Sequence, residues 1–154
     1  MSNRAEPTQV PNPSYREEAR RVFEDAAFVE DIGVRLVEIG PGWAETELEV
    51  LPRHYQHTGI VHMGVQATMA DHTAGTAATT ALRAGEYVLS AQVTLNLLRP
   101  AAGELLRCRS TVLKAGRRLV IAESELFAVD NGKSTLVSKA TVTLVVLKVQ
   151  EADG

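Results

Sequence analysis

One stretch, from Arg53 to Ala84, limits the possible folds of this chain more than any other. It reads RHYQHTGIVHMGVQATMADHTAGTAATTALRA and contains all four histidines of the protein. Seven alanines lie between Ala67 and Ala84, and alanine has the highest helix propensity of any residue. We predict one long, heavily buried helix that begins near Met63 and Gly64 and stops at Arg83-Ala84-Gly85, where a glycine can end it.

Composition narrows the possible functions. The 154 residues carry a formal net charge of −3, which fits one globular domain and offers no basic surface for nucleic acid or an anionic membrane. No apolar run is long enough to cross a bilayer, and the first residues lack the apolar segment of a secretion signal. We therefore expect a cytoplasmic protein with no nucleic-acid or membrane partner. Cys108, the single cysteine, is expected to be a buried strand residue.

The residues before the central stretch predict an arm, a helix and a hairpin. Residues 1–12 are polar and contain two prolines, which indicates a flexible arm, and residues 13–150 form the single domain. A helix is expected from Asn12-Pro13-Ser14 to about Ala27. From Ile32 the apolar period becomes two, and Gly40-Pro41-Gly42 divides two strands that should pair as a hairpin.

Four strand-like segments follow the central helix. Their joints are short, and short joints between consecutive strands favour antiparallel pairing. Asn131-Gly132 is a strong hairpin signal because both residues tolerate positive φ. The four segments are Tyr87–Leu98, Glu104–Lys114, Arg118–Val129 and Ser134–Lys148.

This order of elements predicts an α+β fold. A curled antiparallel sheet of five or six strands, wrapped around one long central helix, is the arrangement of the hot-dog fold. The helix buries one face of the sheet, and the outer face would still be exposed to solvent in a monomer. We expect oligomer contacts to cover it, in a homodimer or in a homotetramer built as a dimer of dimers.

The central motif also resembles a known family. His62-Met63-Gly64, with Asp71 nine places after the histidine and then an alanine-rich helix, resembles the His-Gly-Gly…Asp signature of hot-dog acyl-CoA thioesterases. The most similar branch is the PaaI-like, phenylacetate-pathway type. Further matches are Leu98-Arg99-Pro100-Ala101 and Gly116-Arg117-Arg118, so the resemblance spans residues 30 to 148.

The resemblance implies a role for each matching residue. Asp71 corresponds to the catalytic carboxylate, and Met63 to a glycine whose backbone N–H binds the thioester oxygen. Gln56 stands where the family usually has asparagine, and Ser90 matches a serine that helps to hold the attacking water in some members. The residues implied for catalysis are thus Asp71, Met63, Gln56, His62, Gly64 and Ser90. Coenzyme A is part of the substrate, and no separate cofactor or metal is implied.

The chemistry of these residues supports thioester hydrolysis. A helix N-terminus offers free N–H groups and a positive dipole end, which stabilise a developing oxyanion. Asp71 acts either as a general base or as a nucleophile, and the sequence does not choose between them. Eight residues of helix place Met63 and Asp71 about 12 Å apart. We therefore predict a site shared between the subunits of a two-fold dimer.

Several positively charged residues at strand ends are candidates for binding the phosphates of coenzyme A. These and a loop histidine form the expected substrate-binding set: His57, Arg99, Lys114, Arg117 and Arg118.

The remaining histidines have simpler interpretations. His62 is expected to hold its loop by hydrogen bonds, His54 and His57 to border the pocket, and His72 to be a packing or interface residue. A metal site built from His54, His57, His62 and Asp71 matches no familiar zinc spacing.

Two other functions remain open from the sequence. A hot-dog hydratase or dehydratase would pair His62 with Asp71, and a non-catalytic protein would bind acyl-CoA without turnover.

Overall fold

The computed structural model describes residues 9–150, so most of the predicted arm at residues 1–12 lies outside the described residues. Three α-helices, one short 3₁₀ turn and six strands follow one another along the chain. They are α1 Tyr15–Glu24, α2 Ala27–Ile32, β1 Val34–Gly40, β2 Trp43–Glu49, the 3₁₀ turn Pro52–His54, α3 Met63–Thr79, β3 Glu86–Leu97, β4 Leu105–Ala115, β5 Leu119–Asp130 and β6 Lys133–Lys148.

All six strands form one antiparallel sheet in the order β1-β2-β4-β5-β6-β3. Helix α3 packs against every strand of this sheet, and α1 packs against α3 from the other side. The predicted α+β architecture, a sheet of five or six strands around one long helix, is confirmed with six strands.

Helix α3 can be buried because most of its hydroxyls find a partner within the helix. The hydroxyls of Thr68, Thr76 and Thr79 donate to backbone carbonyls four residues earlier. Such local bonds remove the cost of burying a hydroxyl without a partner. Alanine and threonine together therefore give a helix that is narrow enough to lie inside the sheet. The threonine hydroxyls have hydrogen-bond partners there.

A short chain of hydroxyl groups joins the middle of α3 to the sheet. Thr46 on β2 bonds to Thr73 at 2.7 Å. Ser110 on β4 bonds to Ser124 on β5 at 2.6 Å, and Ser124 donates to the Ala70 carbonyl at 2.7 Å. These bonds fix the rotation of α3 about its axis, immediately before Asp71.

The first helix ends earlier than predicted, and a second helix was missed. α1 stops at Glu24, and α2 occupies Ala27–Ile32, where the predicted first strand was to begin. Gly33, with φ +97°, ends α2, so β1 starts at Val34. The prediction was wrong because no proline or glycine marks the break between α1 and α2.

Helix α3 begins at Met63 as predicted, but it ends at Thr79, before the expected stop at Arg83-Ala84-Gly85. Two hydrogen bonds of the Thr80 side chain mark the end of the helix instead. Its hydroxyl donates to the Ala77 carbonyl and accepts the N–H of Gly42, a bond of 2.8 Å. The end of α3 is thus tied to the β1–β2 turn, a contact between residues distant in sequence.

The pairing of β3 also differs from the prediction. β3 pairs with β6, and β4 pairs with β2, so the short joint between β3 and β4 is a crossover rather than a hairpin. The joint leaves the sheet edge, and Val61 donates to the Ala101 carbonyl within it. Short length alone did not show whether β4 would pair with β3 or be separated from it by two strands, β5 and β6.

Two local predictions are confirmed. Asn131 and Gly132 both have positive φ, +47° and +77°, in the hairpin between β5 and β6. Cys108 is buried on β4, and burial raises the pKa of its thiol to about 11. The thiol therefore stays protonated and unreactive at neutral pH.

The core on β5 gives a direct test of packing. Leu126 is fully buried between the sheet and α3, whereas Leu119 on the same strand is 46% exposed. Leu126→Ala should lower the free energy of unfolding by about 2–5 kcal/mol, because it removes contacts and leaves a cavity. Leu119→Ala, the matched control, should change it by less than about 0.5 kcal/mol. Urea denaturation measures both, and equal losses would contradict this assignment of the core.

Candidate active site

The first turn of α3 presents an unused backbone donor. His62 is the N-cap residue, with φ −60° and ψ 140°, and its Nδ1 accepts the N–H of Gly64 at 2.8 Å. The N–H of Met63 has no acceptor among residues 9–150. The imidazole therefore caps the Gly64 amide and leaves the Met63 amide open to a ligand.

A pocket of about 290 Å³ lies beside this turn. Its walls come from the loop before α3, the first turns of α3 and the segment that follows β3. Apolar and polar groups share its wall almost equally, the apolar part coming from residues such as Ile60, Val61, Leu97 and Leu98. Met63 and Gln56, both predicted for the site, line it too, and Gln56 donates through Nε2 to the Thr58 hydroxyl at 2.6 Å.

Asp71 lies on α3 two turns beyond this pocket. Its carboxylate is half-buried, and Oδ1 accepts a hydrogen bond of 2.6 Å from the Ser90 hydroxyl. Ser90 precedes a bulge in β3, where the register shifts between Ser90 and Gln92. The structure therefore brings Asp71 and Ser90 together, but within one chain it keeps both away from the pocket wall.

The distance between the two parts of the site follows from α3. Met63 and Asp71 are joined by continuous helix, which confirms the assumption behind the predicted separation of about 12 Å along the axis. A carbonyl oxygen bonded to the Met63 N–H would lie roughly 3 Å from that nitrogen. The carboxylate of the same chain would then be too far away for attack on the carbonyl carbon.

The candidate phosphate-binding residues fall into two groups. Arg99 lines the pocket, and its guanidinium donates to the Leu136 carbonyl at 3.0 Å. Lys114, Arg117 and Arg118 are exposed at the β4–β5 hairpin. The register places that hairpin next to the start of β3, whereas the pocket adjoins its end. His57 is exposed and does not line the pocket.

His54 does not border the pocket, so that prediction was wrong. It is 3% exposed; Nδ1 accepts the Leu51 N–H at 2.9 Å, and Nε2 lies 2.7 Å from the Ile32 carbonyl. Nδ1 thus holds the turn of the loop itself, and Nε2 holds the loop to the end of α2. Within residues 9–150, no three His, Cys, Asp or Glu side chains are grouped so that they could hold a metal ion.

His72 packs where α1 crosses α3. Its Nε2 lies 3.2 Å from the Phe23 carbonyl, and its ring lies 4.9 Å from the Phe23 ring between centroids. Burial lowers the pKa of His72 below its usual 6.5, although the Phe23 carbonyl and the Asp71 charge both act to raise it. The neutral ring therefore donates its proton to hold α1 in place.

The sequence analysis missed Gln66. It lies one turn after Met63 on the same side of α3, lines the pocket, and is 3% exposed. The only signal in the sequence was a polar residue within an alanine-rich, buried helix, and the periodicity alone gave no reason to place it in the wall of a pocket.

Comparison with known proteins identifies the family. The sequence profile described as the thioesterase superfamily matches residues 58–135, just over half of the chain. The chain belongs to the thioesterase superfamily. The matched segment runs from the loop before α3 to the beginning of β6, so it includes Met63, Asp71 and Ser90.

Two solved structures and one relative extend this result. A thioesterase family protein from Silicibacter pomeroyi is 28% identical with a TM-score of 0.85, covering 88% of this chain and 99% of that one. The PaaI protein of the E. coli phenylacetic acid degradation operon has a TM-score of 0.76 at 18% identity, covering 91% and 96%. A 1,4-dihydroxy-2-naphthoyl-CoA hydrolase from Listeria monocytogenes is 24% identical over 115 residues, 75% of this chain and 93% of the relative.

These comparisons confirm the resemblance to hot-dog thioesterases that the motif around His62 indicated, and membership of the superfamily supports a hydrolase. The likeness to PaaI, at this low identity, is a likeness of fold. Separately, none of the helices between residues 9 and 150 has the length and apolar character needed to cross a membrane.

The lowered pKa of His72 predicts an acid-sensitive fold. The unfolded chain binds a proton at this residue more tightly than the folded chain. Stability is therefore complete above about pH 6.5 and falls as the pH drops towards the folded pKa. The wild type should lose more unfolding free energy than His72→Gln between about pH 7.5 and pH 5. Exposed His57→Gln should behave like the wild type, and identical losses in all three proteins would exclude this effect.

Proposed function

We propose that this chain is a cytoplasmic acyl-CoA thioesterase, which hydrolyses a coenzyme A thioester to a free acid and coenzyme A. One observation carries the proposal. The Met63 N–H at the start of α3 has no acceptor among the described residues, and it stands beside a pocket. A thioester carbonyl needs such a donor as its oxygen gains negative charge.

The helix supplies more than one hydrogen bond to this oxygen. The partial positive charge at the N-terminus of α3 adds to the Met63 N–H, and both act without reorganisation during the reaction. The His62 imidazole keeps the turn in shape by capping Gly64. Met63 itself is 49% exposed, so its side chain lies at the entrance rather than in the core.

Asp71 is the group we propose for the attack. It either removes a proton from a water molecule or attacks the carbonyl carbon directly, and the acyl group finally leaves as the acid. The Ser90 hydroxyl donates to one carboxylate oxygen and so orients the other. Ser90 is therefore a positioning residue in this proposal, in addition to any contact with the water.

We propose that the site forms between two subunits. β3 lies at the edge of the sheet, and all of its residues are exposed or half-exposed, with Leu89 and Leu97 each more than 50% exposed. A long strand with exposed apolar residues and one unpaired edge is a natural place for a second copy to pair. Two-fold pairing along β3 would set the start of one β3 beside the end of the other.

Such a homodimer would complete the site. Asp71 of the partner subunit would approach the Met63 N–H, and the partner's β4–β5 hairpin, with Lys114, Arg117 and Arg118, would lie near Arg99. These cations would then surround the phosphates of coenzyme A. A dimer of dimers remains a prediction for the complete assembly.

The outer face of the sheet is more polar than the sequence indicated. Cross-strand ion pairs join Arg35 to Glu47, Arg109 to Glu45, and Lys139 to Glu123 and Glu125. Exposed apolar surface is therefore greater on β3 than on the outer face. This favours pairing through β3 as the first step of assembly.

The relatives support coenzyme A as the leaving group. The Listeria protein is named as a hydrolase of a coenzyme A ester. A hydratase that pairs His62 with Asp71 is less favoured, because His62 Nδ1 already accepts the Gly64 N–H and caps the helix.

A coenzyme A ester screen with thiol detection tests the proposal. The wild type should release thiol from at least one acyl-CoA, and Asp71→Asn should lower kcat by about 10²–10⁴-fold, since the amide keeps the shape but cannot act as a base. Asp25→Asn, at the exposed C-cap of α1, should leave the rate unchanged. Tight binding without turnover would instead identify a non-catalytic acyl-CoA binder.

Mixed dimers test the shared site. Met63→Pro removes only the N–H and the side chain, because proline is tolerated in the first helical turn and the preceding His62 already has ψ 140°. Met63→Pro and Asp71→Ala homodimers should both be inactive, and their mixed dimer should recover one of two sites.

Met63→Leu, which keeps the N–H, is the matched control and should stay active. If verified mixed dimers showed no recovery, both groups would have to act within one chain and the shared site would be rejected.

A further inference from the structure

Gly75 is a glycine in the interior of α3 that the folded chain does not require. Glycine destabilises the middle of a helix relative to alanine, because it loses more backbone freedom on folding. Gly75 does not have a positive φ, which would favour glycine. Among the described residues, a Cβ atom at this position would meet only Leu144 Cδ2, at an ordinary contact distance of 3.9 Å. The fold therefore has room for alanine, the better helix residue.

Gly64, the other glycine of α3, does have a structural reason. Nδ1 of His62 accepts its N–H, and a Cβ atom on Gly64 would lie 3.0 Å from that nitrogen. Such a contact is tighter than most real Cβ contacts, so a side chain there would disturb the cap. Gly75 has no comparable neighbour between residues 9 and 150. Its missing side chain is better explained by a ligand that approaches the helix backbone closely.

The position of Gly75 relates it to the proposed reaction. It follows Asp71 by one helical turn, a rise of about 6 Å along α3. Residues four apart lie on the same face of a helix. Both residues are partly exposed, whereas Thr73, Ala74 and Thr76 beside them are buried. The exposed face of α3 therefore continues from the proposed attacking carboxylate to Gly75.

Strand β3 lies alongside this face of α3. Ser90 donates to the Asp71 carboxylate, and Val88 lies two residues earlier on the same face of the strand. Val88 packs against the buried cluster that contains Leu144, the side chain nearest to the Cβ position of Gly75. A path along β3 from Ser90 to Val88 therefore also leads from Asp71 to Gly75.

The β4–β5 hairpin lies further along the same path. Val146 on β6 pairs with Val88 and donates its N–H to the Arg118 carbonyl at 2.9 Å. Arg118 is one of the exposed cations of the hairpin that are proposed to bind the phosphates of coenzyme A. Gly75 therefore lies between the carboxylate of Asp71 and these cations.

Pantetheine is the part of coenzyme A that spans this interval. It joins the sulfur of the thioester to the phosphates, so it has to run from the reacting carbonyl beside Asp71 to the cationic hairpin. A narrow chain of this kind lies directly against a helix backbone only where no side chain projects. A methyl group on residue 75 would hold the chain away from the helix.

We infer that Gly75 is the point at which the pantetheine arm of the substrate crosses α3, and that its missing side chain lets the arm lie against the helix. The inference rests on the proposed function and adds a residue that determines how coenzyme A is bound. One carbon too many in a closely fitting site changes binding by about 10–200-fold. An alanine at this position should thus weaken the binding of coenzyme A, although it stabilises the helix.

Gly75→Ala tests the inference because stability and binding should change in opposite directions. Its Tm should rise by about 2–4 °C, since alanine is the better helix residue. Its affinity for coenzyme A, measured by titration calorimetry, should fall by about 10-fold or more. Its affinity for adenosine 3′,5′-bisphosphate, the nucleotide without the pantetheine arm, should stay the same.

Three results of these measurements would overturn the inference. The first is an affinity for coenzyme A that is equal in the wild type and Gly75→Ala, or absent in both. The second is an equal loss of affinity for the nucleotide, which would place the effect outside the pantetheine arm. The third is a lower Tm, which would show that the fold itself requires glycine at this position.

Ala67→Ser is the matched control. Ala67 is also partly exposed, and it precedes Asp71 by one turn, on the side away from Gly75. The substitution adds one atom to the same face of α3, as Gly75→Ala does, and should leave the affinity for coenzyme A unchanged. An equal loss in Ala67→Ser would indicate a general effect of bulk beside Asp71 and would exclude a crossing at Gly75.

Subunit contact is the competing explanation for Gly75, because a second copy packed closely on this face would also need a small residue. Size-exclusion chromatography with light scattering decides between the two. Gly75→Ala should keep the oligomeric state of the wild type. Dissociation of the variant would assign the glycine to assembly and would overturn the inference.

Hydrolysis assays separate this inference from the proposed function. If no ester is hydrolysed, but the wild type binds coenzyme A about 10-fold or more tightly than Gly75→Ala, the thioesterase proposal fails and the crossing at Gly75 stands. If esters are hydrolysed and both proteins bind coenzyme A equally, the crossing fails and the thioesterase proposal stands.

Discussion

The burial of α3 on nearly all sides is the constraint on which the rest of the structure depends. A helix inside a curled sheet has no water to satisfy its polar groups, so each hydroxyl must find a partner in the protein. Thr68, Thr76 and Thr79 bond to their own helix, and Thr73 and the Ala70 carbonyl bond to side chains of the sheet. The small residues of this segment let the helix lie close to the sheet side chains that supply those partners.

The site lies where this burial is incomplete. The N-terminal amide of α3 opens into a pocket, and Asp71 faces β3, the one strand with no buried residue. Both reactive groups are thus on a rigid element, whose rotation is fixed by the Ser124 bond to Ala70. A helix held this firmly gives precise placement of a donor and a carboxylate, but it also keeps them about two turns apart. In the proposed homodimer, Asp71 of the partner subunit would resolve this conflict without bending the helix.

The sequence predicted the local features of the fold well. The start of α3 at Met63 and the turn at Asn131-Gly132 follow from capping and backbone preferences of neighbouring residues. It failed where the outcome depends on distant contacts. The burial of His54 follows from the Ile32 carbonyl on another element, and the pairing of β3 with β6 follows from a crossover that no turn residue marks.

The candidate site shows the same division between local and distant information. The motif at His62, Met63 and Asp71 could be read directly, because its residues lie on one element and its spacing is that of a helix. Gln66 could not, although it lies among them, because its meaning depends on the Val61 carbonyl and on the segment after β3. A polar residue in the core, or a large apolar residue on the surface, destabilises the fold. Such residues concentrate at functional sites. Gln66 and the exposed strand β3 both break the pattern, and Gln66 and the last residue of β3, Leu97, both line the pocket.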